Sequence, residues 1–311
     1  GWNPADYQIK RWWYKPTAEY GGPKMDESEM TVKSATVSAD RKRVFLEFDG
    51  LKKEHVFYIR LKNHFISEQN HELWAAESWY TMNNISTEVG TVQPAPVLAL
   101  NTFTEPEKKD GWKILFNGKD LTGWHVYKKD ETKNAWKIEN GTLAFVPTKD
   151  KWGDIVTDSE YENYVLELEW KISDCGNSGI FYNVVEDEKY CCTWQTGPEM
   201  QILDNTCHPD TKYPTHRAGD LYDMIECKYV TVNPAGQWNK IRLISKDGDM
   251  QFWQNGLMVV EFTMHDSTWT HMIANSKFKD MPDFGLAKSG HIAFQDHGDK
   301  VWYRNITIKE L

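Results

Sequence analysis

Ser289 to Leu311 reads SGHIAFQDHGDKVWYRNITIKEL, and the fold class turns on how it is read. Two runs of alternating residues, Gly290 to Gln295 and Lys300 to Ile308, flank Asp296-His297-Gly298-Asp299, which predicts a β-hairpin closed by a tight turn. Alternation puts Ile292 and Phe294 on one face of the first strand and His291, Ala293 and Gln295 on the other. One side can serve a core while Gln295 faces a cleft. In the second strand Trp302, Arg304 and Ile306 share one face and Val301, Tyr303 and Asn305 the other, and either could be inward. Asp296 beside His297 is an arrangement that raises a histidine's basicity.

Outward from this segment the same period recurs. Trp136 to Ile138, Thr142 to Phe145, Tyr164 to Ile172, Ser178 to Val185, Glu199 to Leu203, Trp238 to Ser245, Met250 to Gln254 and Leu257 to Thr263 read as strands. Glu139-Asn140-Gly141, Lys246-Asp247-Gly248 and Gln254-Asn255-Gly256 mark turns between them. Helical periodicity is nearly absent. So many strands in residues 111–311 predict an all-β domain of two stacked antiparallel sheets, a sandwich or jelly roll.

Residues 1–85 read as a smaller β domain, with strands at Thr31 to Ser38, Arg43 to Phe48 and His55 to Leu61, turn signals at Ala39-Asp40 and Asp49-Gly50, and a less regular aromatic stretch at Trp74 to Asn84. No catalytic cluster stands out there, so a support or interaction role is expected. Residues 86–110, with Pro94, Pro96 and Pro106, read as a linker.

The chain has 311 residues and a net charge of −10. With no cluster of Lys and Arg, nucleic acid is excluded as a partner, and no apolar run is long enough to span a bilayer. The opening GWNPADYQIKRWW lacks the order of a signal peptide, so the chain is expected to be cytoplasmic or a piece of something longer. The 15 Trp, 14 Tyr and 13 Phe suit either sandwich cores or stacking on sugar rings. Five cysteines, at 175, 191, 192, 207 and 227, contain no C-x-x-C pair. Bridges among Cys175, Cys192, Cys207 and Cys227, or free buried thiols, are both open.

Three further segments carry candidate chemistry. In Glu199 to Leu203, alternation places Glu199 and Gln201 on one face and Met200 and Ile202 on the other, so a polar pair can face a groove from an apolar anchor. In Gly176-Asn177-Ser178-Gly179 the glycines permit close approach of a ligand to the backbone, or a bulge. The irregular stretch Asn205 to Ala235 carries His208, His216, Arg217, Asp220, Tyr222 and Asp223, and loops of this length inside a domain tend to be functional. His216 and Asp220 could bind a metal or share a proton, although their spacing matches no ligand motif.

The chain also carries Leu115-Phe116-Asn117-Gly118-Lys119-Asp120-Leu121-Thr122-Gly123-Trp124, Glu139-Asn140-Gly141-Thr142-Leu143, Gly176 to Ile180, Glu199 to Asp204, Trp238-Asn239, Asn255-Gly256, Gln295 to Gly298 and Tyr303 to Ile306. Together these resemble the 3-keto-disaccharide hydrolase family, bacterial domains with a concanavalin-like sandwich. The likeness covers about Trp112 to Leu311, and Ala218 to Asp223 departs from the family's small-residue tract. Residues 1–85 resemble the β-rich tail of some exported bacterial multidomain proteins, which implies further domains before Gly1 and a periplasmic or exported location.

The resemblance implies cleavage of glycosides already oxidised at C3. A 3-keto group acidifies the C2 proton, so a base can remove it, expel the C1 leaving group and let water add. That chemistry needs a base and an electrophile for the ketone oxygen. Glu199 or His297 is the expected base. Arg304, Gln201 and a divalent metal held near Glu199 and His216 are the expected oxyanion stabilisers, with Asn177, His216, Tyr222 and Gln295 also binding an oligosaccharide or glycoside. A noncatalytic carbohydrate-binding module and an ordinary two-carboxylate glycosidase are the competing expectations.

Overall fold

Tyr164–Ile172 shows the organising pattern. Its side chains alternate between buried and half-exposed along all nine residues, with Tyr164, Leu166, Leu168, Trp170 and Ile172 inward. Burying each such side chain is worth about 1.5–3 kcal/mol, which fixes the strand's inward face.

The computed structural model describes residues 4–18, 22–37, 44–62, 75–85, 100–103, 110–129, 134–150 and 152–311. Two units divide the chain, Gly1–Leu98 and Ala99–Leu311. In the first, strands β1 (Tyr7–Tyr14), β2 (Lys24–Met30), β3 (Val32–Val37), β4 (Val44–Phe48), β5 (His55–Leu61) and β6 (Glu77–Met82) form a four-stranded sheet ordered β2-β1-β5-β6 and a β3–β4 hairpin. Among the described residues, Tyr7, Ile9, Trp12 and Phe57 are its buried apolar side chains. Strands β1, β2 and β6 were not expected from the sequence, and the expected turn at Ala39-Asp40 lies outside the described residues, as does most of the stretch 86–110.

The second unit contains β7 (Lys113–Ile114), β8 (Trp124–Val126), β9 (Trp136–Glu139), β10 (Thr142–Phe145), β11 (Ile155–Thr157), β12 (Tyr164–Ile172), β13 (Asn177–Val184), β14 (Glu199–Leu203), β15 (Asn239–Lys246), β16 (Asp249–Gln254), β17 (Leu257–Thr263), helix α1 (Ser267–Ala274), β18 (His291–Phe294) and β19 (Val301–Glu310). One sheet runs β17-β16-β15-β12-β19-β10-β9, with β7 also on β19, and the other runs β14-β13-β18-β11-β8. All pairings are antiparallel. The larger apolar core takes Leu166, Leu168 and Trp170 from the larger sheet and Ile180, Ile202, Ile292 and Phe294 from the smaller, and a second cluster, with Val156, Phe181, Val184 and Ala293, lies on the other face of the smaller sheet. The fold is the all-β sandwich that the strand count predicts. No helix among the described residues is long and apolar enough to cross a membrane.

The closing segment is not a hairpin. β18 pairs with β11 and β13 in one sheet, while β19 pairs with β10 and β12 in the other. Residues 295–300 therefore cross from sheet to sheet, and the dense polarity between the strands anchors that crossing. Asp296 Oδ2 accepts from Gly153 N at 2.8 Å and Oδ1 from Gly298 N at 2.9 Å, while Asp299 Oδ2 accepts from Asn177 N at 3.0 Å. Ser178 Oγ donates to Gln295 O at 2.9 Å.

The expected faces of the first strand hold, since Ile292 and Phe294 enter the core. In β19 the alternation is broken. The register against β12 shifts between Glu167 and Glu169, and Asn305 has φ 52°, so a bulge brings Ile306 to the same inward side as Val301 and Tyr303.

Candidate active site

The two strands β13 and β14 form the floor of a cleft with a volume of about 820 Å³. Phe181 lies opposite Glu199 and Gly179 opposite Gln201. Met200 and Ile202 point into the core, which turns Glu199 and Gln201 to the other face, where both line the cleft. The apolar pair thus fixes the direction of the polar pair.

Glu199 is only 6% exposed. Its carboxylate lies over the backbone of Gly179, where a Cβ would sit 2.0 Å from Glu199 Oε1. Gly179 is thus needed for what approaches it within the protein. The Gln201 amide, oriented to satisfy its neighbours, donates to Ser178 O at 3.0 Å and Glu199 Oε1 at 2.9 Å. Burial pushes the Glu199 carboxyl up to about 8, with the Lys277 charge opposing and the Asp154 charge adding.

The irregular stretch after β14 covers the outer edge of that strand. Tyr222 N donates to Glu199 O at 3.0 Å, Gln201 N to Asp220 O at 3.0 Å and Gly219 N to Gln201 O at 2.8 Å. Asp220 organises the turn, accepting from Cys227 N at 2.8 Å and Arg217 N at 2.6 Å. Tyr222 is thereby delivered to the cleft wall. Behind it the His216 ring packs at 4.4 Å between centroids, and His216 Nε2 meets Asp223 Oδ1 at 3.1 Å. Asp223 Oδ2 also accepts from Lys277 N at 2.8 Å, and Lys277 Nζ sits 3.9 Å from the Tyr222 ring centroid. Burial lowers the Lys277 pKa, with Glu199, Asp223 and Asp210 opposing.

Asp154 lies on the cleft lining near the crossing. Its Oδ1 accepts from Asp296 N at 2.8 Å and its Oδ2 from the Thr193 hydroxyl. Burial raises its pKa to about 6, with Asp296 adding. Gln295 also lines the cleft, and its buried Oε1 has no partner among the described residues. Trp152 and Trp194 line the same cleft and are 56% and 37% exposed, whereas Trp124, Trp136, Trp170 and Trp269 are core residues.

The profile of the 3-keto-alpha-glucoside-1,2-lyase-like domain family matches residues 111–309. The chain belongs to this family. A 3-keto-disaccharide hydrolase of Bacteroides thetaiotaomicron is 34% identical over 239 residues, 68% of this chain and 82% of that protein. A crystal structure of a candidate glycosyl hydrolase from Parabacteroides distasonis ATCC 8503 is 35% identical and covers 68% of this chain and 100% of that one, with a TM-score of 0.64. A second from the same organism is 26% identical and covers 64% and 99%, with a TM-score of 0.52. This 3-keto-alpha-glucoside-1,2-lyase-like domain is therefore an enzyme fold of the glycoside hydrolase and lyase type.

Of the residues singled out from the sequence, the domain gathers Asn177, Glu199, Gln201, Tyr222, Gln295 and His297 around one cleft. His297 is exposed at its surface. Both Asp296 oxygens accept backbone amides, and among the described residues no ion pair joins Asp296 to His297.

Arg304 is elsewhere. It lies on the outer face of the larger sheet, bound to Glu169 at 2.7 Å through Nε and stacked 3.9 Å from the Trp238 ring. It braces that face. His216 is not part of the cleft lining, and its Nε2 is taken by Asp223, so Glu199 and His216 do not form a ligand pair. The one cluster of three ligand-type side chains among the described residues, Cys175, Asp204 and Cys207, has its two sulfurs joined in a disulfide. Glu199 and His216 therefore do not supply the donor pair expected for a divalent metal.

Lys277 and Asp154 escaped sequence reasoning. Lys277 follows a short helix in an aperiodic stretch, and Asp154 is a single acid just before a three-residue strand, so neither had a local signal.

Proposed function

We propose that this domain cleaves 3-keto-glycosides by β-elimination followed by hydration, with Glu199 as the base. Glu199 takes the C2 proton, and the Lys277 ammonium faces the C3 oxygen as negative charge develops there. The electron pair of the C2–H bond becomes the C1–C2 double bond as the C1–O bond breaks, and the leaving oxygen takes a proton. His297, which lines the cleft surface, relays it in this reading. Water then adds its oxygen to C1 and a proton to C2, which restores a 3-keto sugar. Gln295 Oε1 accepts a sugar hydroxyl, and Asn177, Gln201 and Tyr222 shape the pocket around the ring.

The observation that carries this reading is the carboxyl of Glu199, buried across Gly179 and poised near neutrality beside a lysine in an open cleft. A base works best with a pKa near the working pH. Glu199→Gln is expected to lower turnover of a 3-keto-glucoside by about 10²–10⁴-fold, measured by aglycone release. Undiminished activity in that variant would overturn the assignment.

Asp154 gives a two-carboxylate glycosidase its second acid, in the same cleft. Both of its oxygens already accept protein hydrogen bonds, which disfavours that role. Turnover of the unoxidised glucoside at a rate equal to its 3-keto form would reverse the preference.

An exported location fits the Cys175–Cys207 disulfide, since such bridges persist in oxidising compartments.

A further inference from the structure

Cys191 and Cys192 line the cleft, and the proposed reaction uses neither. Cys191 is exposed and Cys192 half-buried. Burial and then a hydrogen bond with the Cys191 thiol raise the Cys192 pKa to about 12, and the two are consecutive residues on one stretch of the cleft wall. Cys192 is extended and precedes the short turn Thr193–Gln195. That turn carries Trp194 to the cleft and the Thr193 hydroxyl to Asp154.

Neighbouring Cα atoms lie about 3.8 Å apart, below the usual span of about 4.4–6.8 Å for a disulfide. A bridge between adjacent residues is therefore of the strained, exposed kind that reduces readily. The Cys175–Cys207 pair, with Cα atoms 5.0 Å apart, lies within the usual span and is the resistant kind.

We propose that Cys191 and Cys192 form a redox-active vicinal pair that closes to a disulfide in the wall of the substrate cleft. The Cys191 thiolate attacks one sulfur of a low-molecular-weight disulfide and releases the first thiol. The Cys192 sulfur then attacks Cys191 Sγ and releases the second. One protein S–S bond forms, the oxidant's S–S bond breaks, and the two protons and the electron pair end on the two released thiols. Closure replaces two S–H groups by a compact apolar ring. It also pins Cys192, and through it the turn that holds Trp194 and Thr193.

The test equilibrates the full chain across ratios of oxidised to reduced glutathione. Acid quenching, alkylation under denaturing conditions and peptide mass spectrometry follow. At oxidising ratios the peptide containing Cys191 and Cys192 is expected to be two hydrogens lighter and unalkylated, while Cys227 is alkylated throughout. The pair should reopen at ratios that leave Cys175–Cys207 closed. Two alkylated cysteines, or a glutathione adduct, across the whole range would overturn closure.

Amide exchange over residues 192–197 is expected to slow in the closed form, and equal exchange in both forms would overturn the effect on the wall. Neither readout depends on the reaction. Resting on the 3-keto-glycoside reading, KM is further expected to differ severalfold between closed and open forms, with Cys192→Ser matching the open one. Equal KM values would overturn the link to substrate. Absence of turnover in every form would instead count against the proposed reaction.

Discussion

Gly179 and Glu199 show how narrowly the site is specified at the level of single residues. A methyl group at position 179 would fall 2.0 Å from Glu199 Oε1, so Gly179→Ala must displace the carboxylate. Overpacking of this kind costs about 1–3 kcal/mol. The expected outcome is a modest loss of melting temperature with a loss of kcat approaching that of Glu199→Gln, read from thermal melts and turnover together. Retained kcat would show that the carboxyl need not lie across the glycine.

Glu199 also makes activity and stability run in opposite directions with pH. Its folded pKa, about 8, exceeds the ordinary 4.5, so the folded state holds this proton more tightly than the unfolded chain. The stabilisation is fully present below about 4.5 and is lost as pH rises through about 8, with an upper bound on the order of 5 kcal/mol. Turnover should climb over the same upper range as the base form appears. Denaturant titrations from pH 5 to 9 are expected to show a falling stability that Glu199→Gln flattens, and parallel curves for the two proteins would contradict the shift.

Glu199 and Gln201 were legible in the sequence because a polar pair alternates with an apolar one. Lys277 and Asp154 were not, because an isolated charge on a loop carries no period.

Among elements, the β13–β14 pair carries the floor of the site, and Cys175–Cys207 ties its ends together. Cys175 precedes β13 and Cys207 follows β14, 32 residues apart. Closing a loop of that length is worth about 3–4 kcal/mol in the chain-entropy account. Paired Cys175→Ser and Cys207→Ser substitutions are expected to lower stability by about that much, with equilibrium denaturation as the check. An unchanged midpoint would show that β-pairing alone closes the floor.

The crossing between β18 and β19 makes the complementary point. Turn residues and alternation predicted both strands well, yet their partners differ, and Asp296 and Asp299 proved to be backbone anchors. The bulge at Asn305 was equally invisible, since one extra residue changes the inward face without changing composition.

At the scale of the whole molecule, the site joins segments distant in sequence. Lys277 reaches the floor from the stretch between α1 and β18, while Glu199 lies on β14. If the two act on one transition state, their effects should not add. Lys277→Met is expected to reduce kcat by about 10²–10³-fold, and adding it to Glu199→Gln should cost much less than that again. A double-mutant cycle in kcat/KM measures this, and full additivity would separate the two roles.

The sequence by itself determined most strands of the sandwich, though not β7, β8 or β11, together with the family and the polar face of β14. Burial of apolar side chains enforces a period of two, and that period is written locally. Only the tertiary structure decided which strands pair, that Arg304 braces the outer face with Glu169, and that Lys277, Asp154 and Cys191-Cys192 meet Glu199 at one cleft. Strand pairing runs through backbone hydrogen bonds that every residue but proline can make, so partner choice and the convergence of loops leave no mark on any single stretch of sequence.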